Sequence, residues 1–395
     1  TRKPRVVAIT SLQYDIPSKW ASNSGPYPVE PSWYTPNAQN LLRENDRCEV
    51  MYQWQLEFFP NCNNFHELDM THMKMLNSGK SRTAYEMKQH LEGGMLSRFV
   101  YKALKFEYDF DESMIEGQRK DALVLERATS SQFLPNIYGY CNAVLMDFAP
   151  EGDMNDYVTR ARVAKKKGGN KSLSPVDKLR VAIHIASGVR DFHEIGDVKE
   201  IPAFYHNDLF LSQYLFHDGI FKLNDFNLAQ PMTFAKKNTT KNEICLHDMA
   251  CMTLSRTCVK IVKYRTLEDH LWSADDARVE PFSGDKADIY MMGNVMYTIL
   301  TDLHLFEEPK YLTPYETTKA LIAGKRSPYP GDIEKSTHPA HIAVKKAIEM
   351  CWIEKWNKRP SARLIVDFLM GQLRDITNEE HPDLHVTLPA RDPDQ

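Results

Sequence analysis

Residues 205–230 read YHNDLFLSQYLFHDGIFKLNDFNLAQ, and this stretch decides the fold. It sets two aspartates, Asp208 and Asp225, on successive loops seventeen residues apart. Upstream of it the chain reads as strands. HMKML, the polar turn NSGKSR and TAYEMK form a strand, turn and strand within residues 71–89, and RFVYKALKF over 98–106 has the β-branched and aromatic content of a sheet. Met114, Leu123, Val124 and Ala128, with charges between them, predict an amphipathic helix over 113–129. NAVLMDFAPEGDM follows as a strand ending in a Pro-Glu-Gly turn. The character then changes to helix. Ser174 is an N-cap with Pro175 at the first helical position of PVDKLRVAIHIASGVRDFHE, and beyond Asp285 the chain is mostly helical to about Leu373.

This order predicts an α+β, two-lobed fold, a small β-rich lobe followed by a larger helical one, with ligands favouring the cleft between such lobes. The expected division is an irregular extension over 1–70 that wraps the first lobe, an N-lobe over 71–148, a C-lobe over 149–374 and a polar tail over 375–395, disordered at its tip.

At 395 residues the chain is long enough for one such unit with extensions. A net charge of −4 gives no basic footprint, so no nucleic-acid partner is expected. No apolar run approaches the roughly 18 residues of a membrane span. The chain begins at Thr1, and an upstream signal or anchor is compatible with that. Seven cysteines without a C-x-x-C pair argue against a disulfide scaffold and a zinc ribbon. Cys48 and Cys62 flank an aromatic run, and Cys245, Cys251 and Cys258 cluster near His247, where isolated thiols are the plainer reading. Sequons at Asn170 and Asn238 nudge the compartment toward the secretory lumen or a membrane tether.

Across residues 71–373 the chain resembles the protein kinases, with at least six landmarks in family order. H-N-D-L-F-L-S-Q and D-F-N stand where the family has H-R-D-L-x-x-x-N and D-F-G. The resemblance implies ATP and magnesium as cofactors, with the γ-phosphate passing to a hydroxyl on a protein or glycan. Asp208 would accept or orient the hydroxyl proton. Asp225 would hold the bridging magnesium, with Gln213 as the second metal ligand through its amide oxygen. Lys102 in F-V-Y-K would meet the α- and β-phosphates, ahead of its neighbour Lys105, and would pair with Asp121 on the helix. Glu126, five positions further, lies about 500° around that helix and faces elsewhere.

The glycine-rich loop reads N-S-G-K-S-R-T-A over 77–84, keeping only Gly79, so that Lys80 or Arg82 would substitute by charge. Met146 would gate the rear pocket, backbone groups of Asp147 and Ala149 would meet the adenine edge, and Asp153 would reach the ribose. Ala84, Val100, Met154 and Leu215 would sandwich the purine. Phe226 would join a spine with His206 and Leu125, and Asn227 would stand for glycine because Asn tolerates positive φ. Glu268 would pair with Arg359, and Asp288 would brace the catalytic loop.

Several positions depart from the family. Phe210 removes the lysine that steadies the γ-phosphate, and Asn207 removes the arginine that receives an activation-loop phosphate, so switching by phosphorylation there is not expected. The alternative reading is therefore a weak or inactive pseudokinase that acts as a binding scaffold. Lys236, Lys237 and Lys241 lie in the long segment between Asp225 and Glu268, on the expected acceptor side.

Overall fold

The structure is a computed structural model. It describes residues 48–50, 53–56, 68–79, 81–90, 96–108, 111–169, 171–196, 202–235, 266–268, 282–308 and 312–390. They form two compact units. The first takes the described residues through Phe148 and those from Asp225 to Ala235, and the second takes Ala149–Asn224 and the described residues from 266 onward.

The first unit is built on a five-stranded antiparallel sheet: β1 Lys74–Ser78, β2 Arg82–His90, β3 Leu96–Leu104, β4 Ile137–Tyr140 and β5 Ala143–Asp147, in the order β1-β2-β3-β5-β4. Because side chains alternate across a strand, the register divides the residues between two faces. Ala84 faces Lys102 and Lys102 faces Val144, while Glu86 faces Val100 and Val100 faces Met146. These residues share one face with Arg82. On the other, Met87, Phe99 and Leu145 form an apolar cluster covered by Leu68, Met70 and Met73.

Among the described residues of this unit one α-helix is found, α1 at Glu112–Arg127, capped by Asp111, whose carboxylate accepts from the Ser113 and Met114 N–H groups at 3.0 and 3.2 Å. The helix starts one residue before the expected span and ends two short of it. Strand β4 was not expected at all, for four residues beside a turn carry too little periodicity to register. Trp54 and Gln55 of the N-terminal extension are buried, with the Gln55 carbonyl accepting from Arg119 at 3.0 Å and the Arg127 guanidinium over the Trp54 ring at 4.4 Å. At the β4–β5 turn Cys141 is disulfide-bonded.

The second unit is helical, with α2 Met154–Lys166, α3 Pro175–His193, α4 Gly284–Thr301, α5 Pro314–Ile322, α6 Gly331–Glu334, α7 Pro339–Cys351 and α8 Ala362–Thr377. Ser174 caps α3 as its sequence predicts, its hydroxyl accepting from the Asp177 N–H at 3.1 Å. Helices α3, α4, α7 and α8 pack together over a core that includes Val189, Phe192, Met292, Ile348 and Leu369, none of them exposed. A two-stranded hairpin, β6 Tyr214–His217 and β7 Ile220–Leu223, follows the Asp208 loop. After α8 the chain packs back onto this unit, burying Val386 and Leu388, and the Val386 N–H donates to the Gly219 carbonyl at 2.9 Å. Among the described residues no helix is long and apolar enough to cross a membrane.

Candidate functional site

The first unit holds a cluster of four charges. Lys102 on β3 and Arg82 on β2 share a sheet face because their strands are paired in that register. Helix α1 presents Asp121 to them. Lys102 Nζ lies 3.6 Å from Asp121 Oδ2, and Arg82 Nη1 makes the closer contact to the same oxygen at 2.6 Å. Arg82 also donates to Gln118 Oε1 at 2.9 Å and, through Nη2, to Asp225 Oδ1. The other Asp121 oxygen accepts the Phe226 N–H at 2.9 Å, which ties the helix to the Phe226–Leu228 turn. Gly117 makes this approach possible, since a β-carbon there would stand 3.2 Å from the Asn227 carbonyl oxygen.

Burial would raise the Asp121 pKa, but the Lys102 and Arg82 charges and the Phe226 N–H overcome it and bring the carboxyl down to about 2. Burial lowers Lys102 to about 8, with Asp121 opposing the fall and Arg82 adding to it. Lys105 lies beyond the end of β3 and is half-buried, whereas Lys102 is the lysine that meets the helix carboxylate.

On the same sheet face as Lys102, Val100 and Met146 are buried neighbours across β3 and β5. The Asp147 N–H donates to the Asn136 carbonyl at 3.1 Å, and its carboxylate accepts from the Asn136 N–H at 2.9 Å and Tyr138 Oη at 2.6 Å. Gly79 closes the hairpin turn by donating its N–H to the Arg82 carbonyl at 2.8 Å, so this amide is spent within the turn.

The second unit holds the Asp208 loop. Asp288, buried on α4, accepts the His206 N–H at 2.6 Å, the Asn207 N–H at 3.0 Å and His193 Nε2 at 2.9 Å. The bracing expected of Asp288 is thus present, as is the Glu268 pair, with Arg359 Nη2 at 2.7 Å. Gln213 Nε2 donates to Asp208 Oδ2 at 3.0 Å, and the Gln213 carbonyl accepts the Asn224 N–H at 2.8 Å. Ala149 and Gly152 form the turn before α2, the Ala149 carbonyl accepting the Gly152 N–H at 3.2 Å. Asp153 caps α2 and bridges to Leu215 on β6. Burial raises the Asp153 carboxyl to about 6 against the hydrogen bond from the Asp156 N–H.

Of the expected residues, Lys102, Asp121 and Asp225 gather in the first unit through Arg82, and Asp208 and Gln213 meet in the second. Lys80 lies outside the described residues, as do Cys62, Lys236, Lys237, Lys241, Cys245, His247, Cys251, Cys258, Asn170 and Asn238. The positive φ expected of Asn227 falls instead on Asp225, at 69°, because the turn that follows needs residues 226–228 in a 3₁₀ conformation. Sequence reasoning gave Arg82 a charge but not its partners. Its signal was the alternation that puts residues 82, 84 and 86 on one face.

Magnesium, implied by the motifs, would be held in the first unit by Asp225. That carboxylate does not fit it, since it is bound by the Arg82 guanidinium.

A family model for protein tyrosine and serine/threonine kinases matches residues 74–369. The chain is similar to a probable serine/threonine-protein kinase of Dictyostelium discoideum, 25% identical over 245 residues that make up 60% of this chain and 15% of that protein. It is also similar to serine/threonine-protein kinase 12 of Arabidopsis thaliana, 25% identical over 275 residues, covering 67% of this chain and 50% of the relative. The chain therefore spans half the length, or less, of these two relatives.

Proposed function

The chain belongs to the protein tyrosine and serine/threonine kinase family, and we propose that it binds ATP and transfers the γ-phosphate to the hydroxyl of a protein or glycan acceptor. The observation that carries this reading is the buried Lys102–Asp121 pair at 3.6 Å. Ammonium and carboxylate are costly to bury, and a lysine so held is a ready-made partner for phosphate oxygens. Val100 and Met146, on the same sheet face, offer an apolar bed for the purine. Asp153, raised to about 6 by burial, is a hydrogen-bonding group for the ribose.

In the transfer the acceptor oxygen forms its bond to the γ-phosphorus as the β–γ bridging P–O bond breaks. ADP leaves with the electron pair, and the hydroxyl proton passes to Asp208. Gln213 donates to one oxygen of that carboxylate and so orients the other. Lys102 and Arg82 are the cations on hand for the charge of the phosphates.

The second reading, a silent member of the family, is favoured by Phe210, which leaves the γ-phosphate without its usual lysine, a loss of up to about 3 kcal/mol in transition-state stabilisation. Transfer of labelled γ-phosphate to protein and glycan mixtures decides between the two. Asp208→Asn should lower transfer by roughly a hundredfold or more while leaving the unfolding temperature and ATP binding unchanged. Wild-type protein that binds ATP and labels no acceptor above the Asp208→Asn background would establish the silent reading.

A further inference from the structure

We infer that Arg82 takes the part of a divalent cation at Asp225, so that this chain binds ATP without metal; the inference rests on the nucleotide-binding reading above. Arg82 stands at the third glycine position of N-S-G-K-S-R-T-A, where the family carries no side chain. Its register opposite Leu104 sends the side chain to the Lys102 face of the sheet. There the guanidinium spans Gln118, Asp121 and Asp225 with both terminal nitrogens engaged, and its side chain is 10% exposed.

The charges in the cluster already balance. Lys102 and Arg82 supply two positive charges against the two carboxylates of Asp121 and Asp225. A divalent ion on Asp225 would bring two more positive charges next to a group that cannot deprotonate to make room for it. Asp225 is held in the left-handed region, at φ 69°, directly ahead of the Phe226 N–H that binds Asp121. Asp121 thus holds the turn after Asp225 through the Phe226 N–H, while Arg82 holds the Asp225 carboxylate itself. A guanidinium carries five N–H donors in a planar fork, so Arg82 can keep Asp225 on Nη2 and also donate to an oxygen of an incoming triphosphate, bridging the two as an ion would.

ATP titrations monitored by calorimetry, in magnesium and in EDTA, test this. For the wild-type protein the dissociation constant should change by less than about threefold between the two conditions. Arg82→Gly restores the family's glycine and frees Asp225, and it should bind ATP roughly tenfold more weakly in EDTA than in magnesium. Arg82→Lys keeps a positive charge and should stay closer to wild type. Wild-type binding that weakens roughly tenfold or more in EDTA would overturn the inference, and this comparison needs no variant to fold. Equal binding by Arg82→Gly in both conditions would also overturn it, by making Arg82 a purely structural ion pair. If folded wild-type protein and Arg82→Gly both fail to bind ATP even with magnesium, the nucleotide reading itself falls. That result is told apart from the others because no arm shows heat.

Discussion

Lys102 titrates within reach of ordinary buffers, and its two consequences have opposite signs. Its pKa is lowered by burial to about 8 from the 10.5 of a free lysine. Between these values the unfolded chain binds the proton that the folded chain has released, so the cost of burying Lys102 eases as pH rises through that window. ATP binding runs the other way, because the charged ammonium is the form that meets phosphate. Affinity should be level up to about pH 8 and fall by about tenfold per unit above it, until the bound lysine itself titrates. Dissociation constants at a series of pH values measure this, and Lys102→Arg should flatten the profile because a guanidinium keeps its charge. A wild-type profile that stays flat beyond pH 9 would show that Lys102 is not a phosphate ligand. Asp121 does not confuse the result. Held at about 2, it contributes stability above the ordinary carboxylate range and loses it only as pH falls through that low value.

Helix packing in the second unit turns on one close approach, and a single methyl group tests it. Gly293 of α4 lies so near α7 that a β-carbon would fall 2.5 Å from the Cys351 β-carbon and 3.1 Å from the Trp352 ring. Both neighbours are buried and the Cys351 β-carbon belongs to a helix, so neither can swing aside. Gly293→Ala gains about 1 kcal/mol in helix propensity, but overpacking of this kind costs about 1–3 kcal/mol, and at 2.5 Å the upper end applies. A net loss of about 2 kcal/mol should appear in urea denaturation as a lower midpoint at unchanged slope. A midpoint equal to wild type would mean that the two helices can separate freely. Elements such as α3 were legible in the sequence because their signals are local, a Ser174 cap and Pro175 within one turn. Strand β4 and the partners of Arg82 were not, for β4 is recognisable only by its pairing with β5, and Arg82 meets Asp121 and Asp225 only after three separate segments have folded. Asp288 and Glu268 were legible through motif order, which encodes long-range pairs that no local pattern shows.

At the scale of the whole molecule, a piece of chain that composition marks as peripheral is structural. Residues 375–395 read as a polar tail, yet within it the burial of Val386 and Leu388 and the bonds from Arg180 and His184 to the Asp383 and Leu384 carbonyls, at 2.9 and 2.8 Å, make residues 379–390 part of the second unit. Alternation of apolar with polar residues over so short a run is too weak a signal to separate a docked tail from a free one. Deleting residues 379–395 removes the buried side chains of Val386 and Leu388, each worth about 1.5–3 kcal/mol, and should lower stability by about 3–6 kcal/mol in denaturant titration. Cys141 bears on the compartment. A disulfide in a chain of this size persists in an oxidising lumen and is reduced in the cytosol, so its presence favours the secretory setting toward which the sequons lean. The bond should contribute about 2–4 kcal/mol by restricting the unfolded chain. Protein made in an oxidising compartment should melt at a lower temperature after reduction. Cys141→Ser should show that lower temperature from the start and respond no further to reductant. Peptide mapping without reduction supplies the direct check, and recovery of Cys141 as a freely alkylated thiol would remove the argument for an oxidising compartment while leaving the kinase-family fold and its charge cluster untouched.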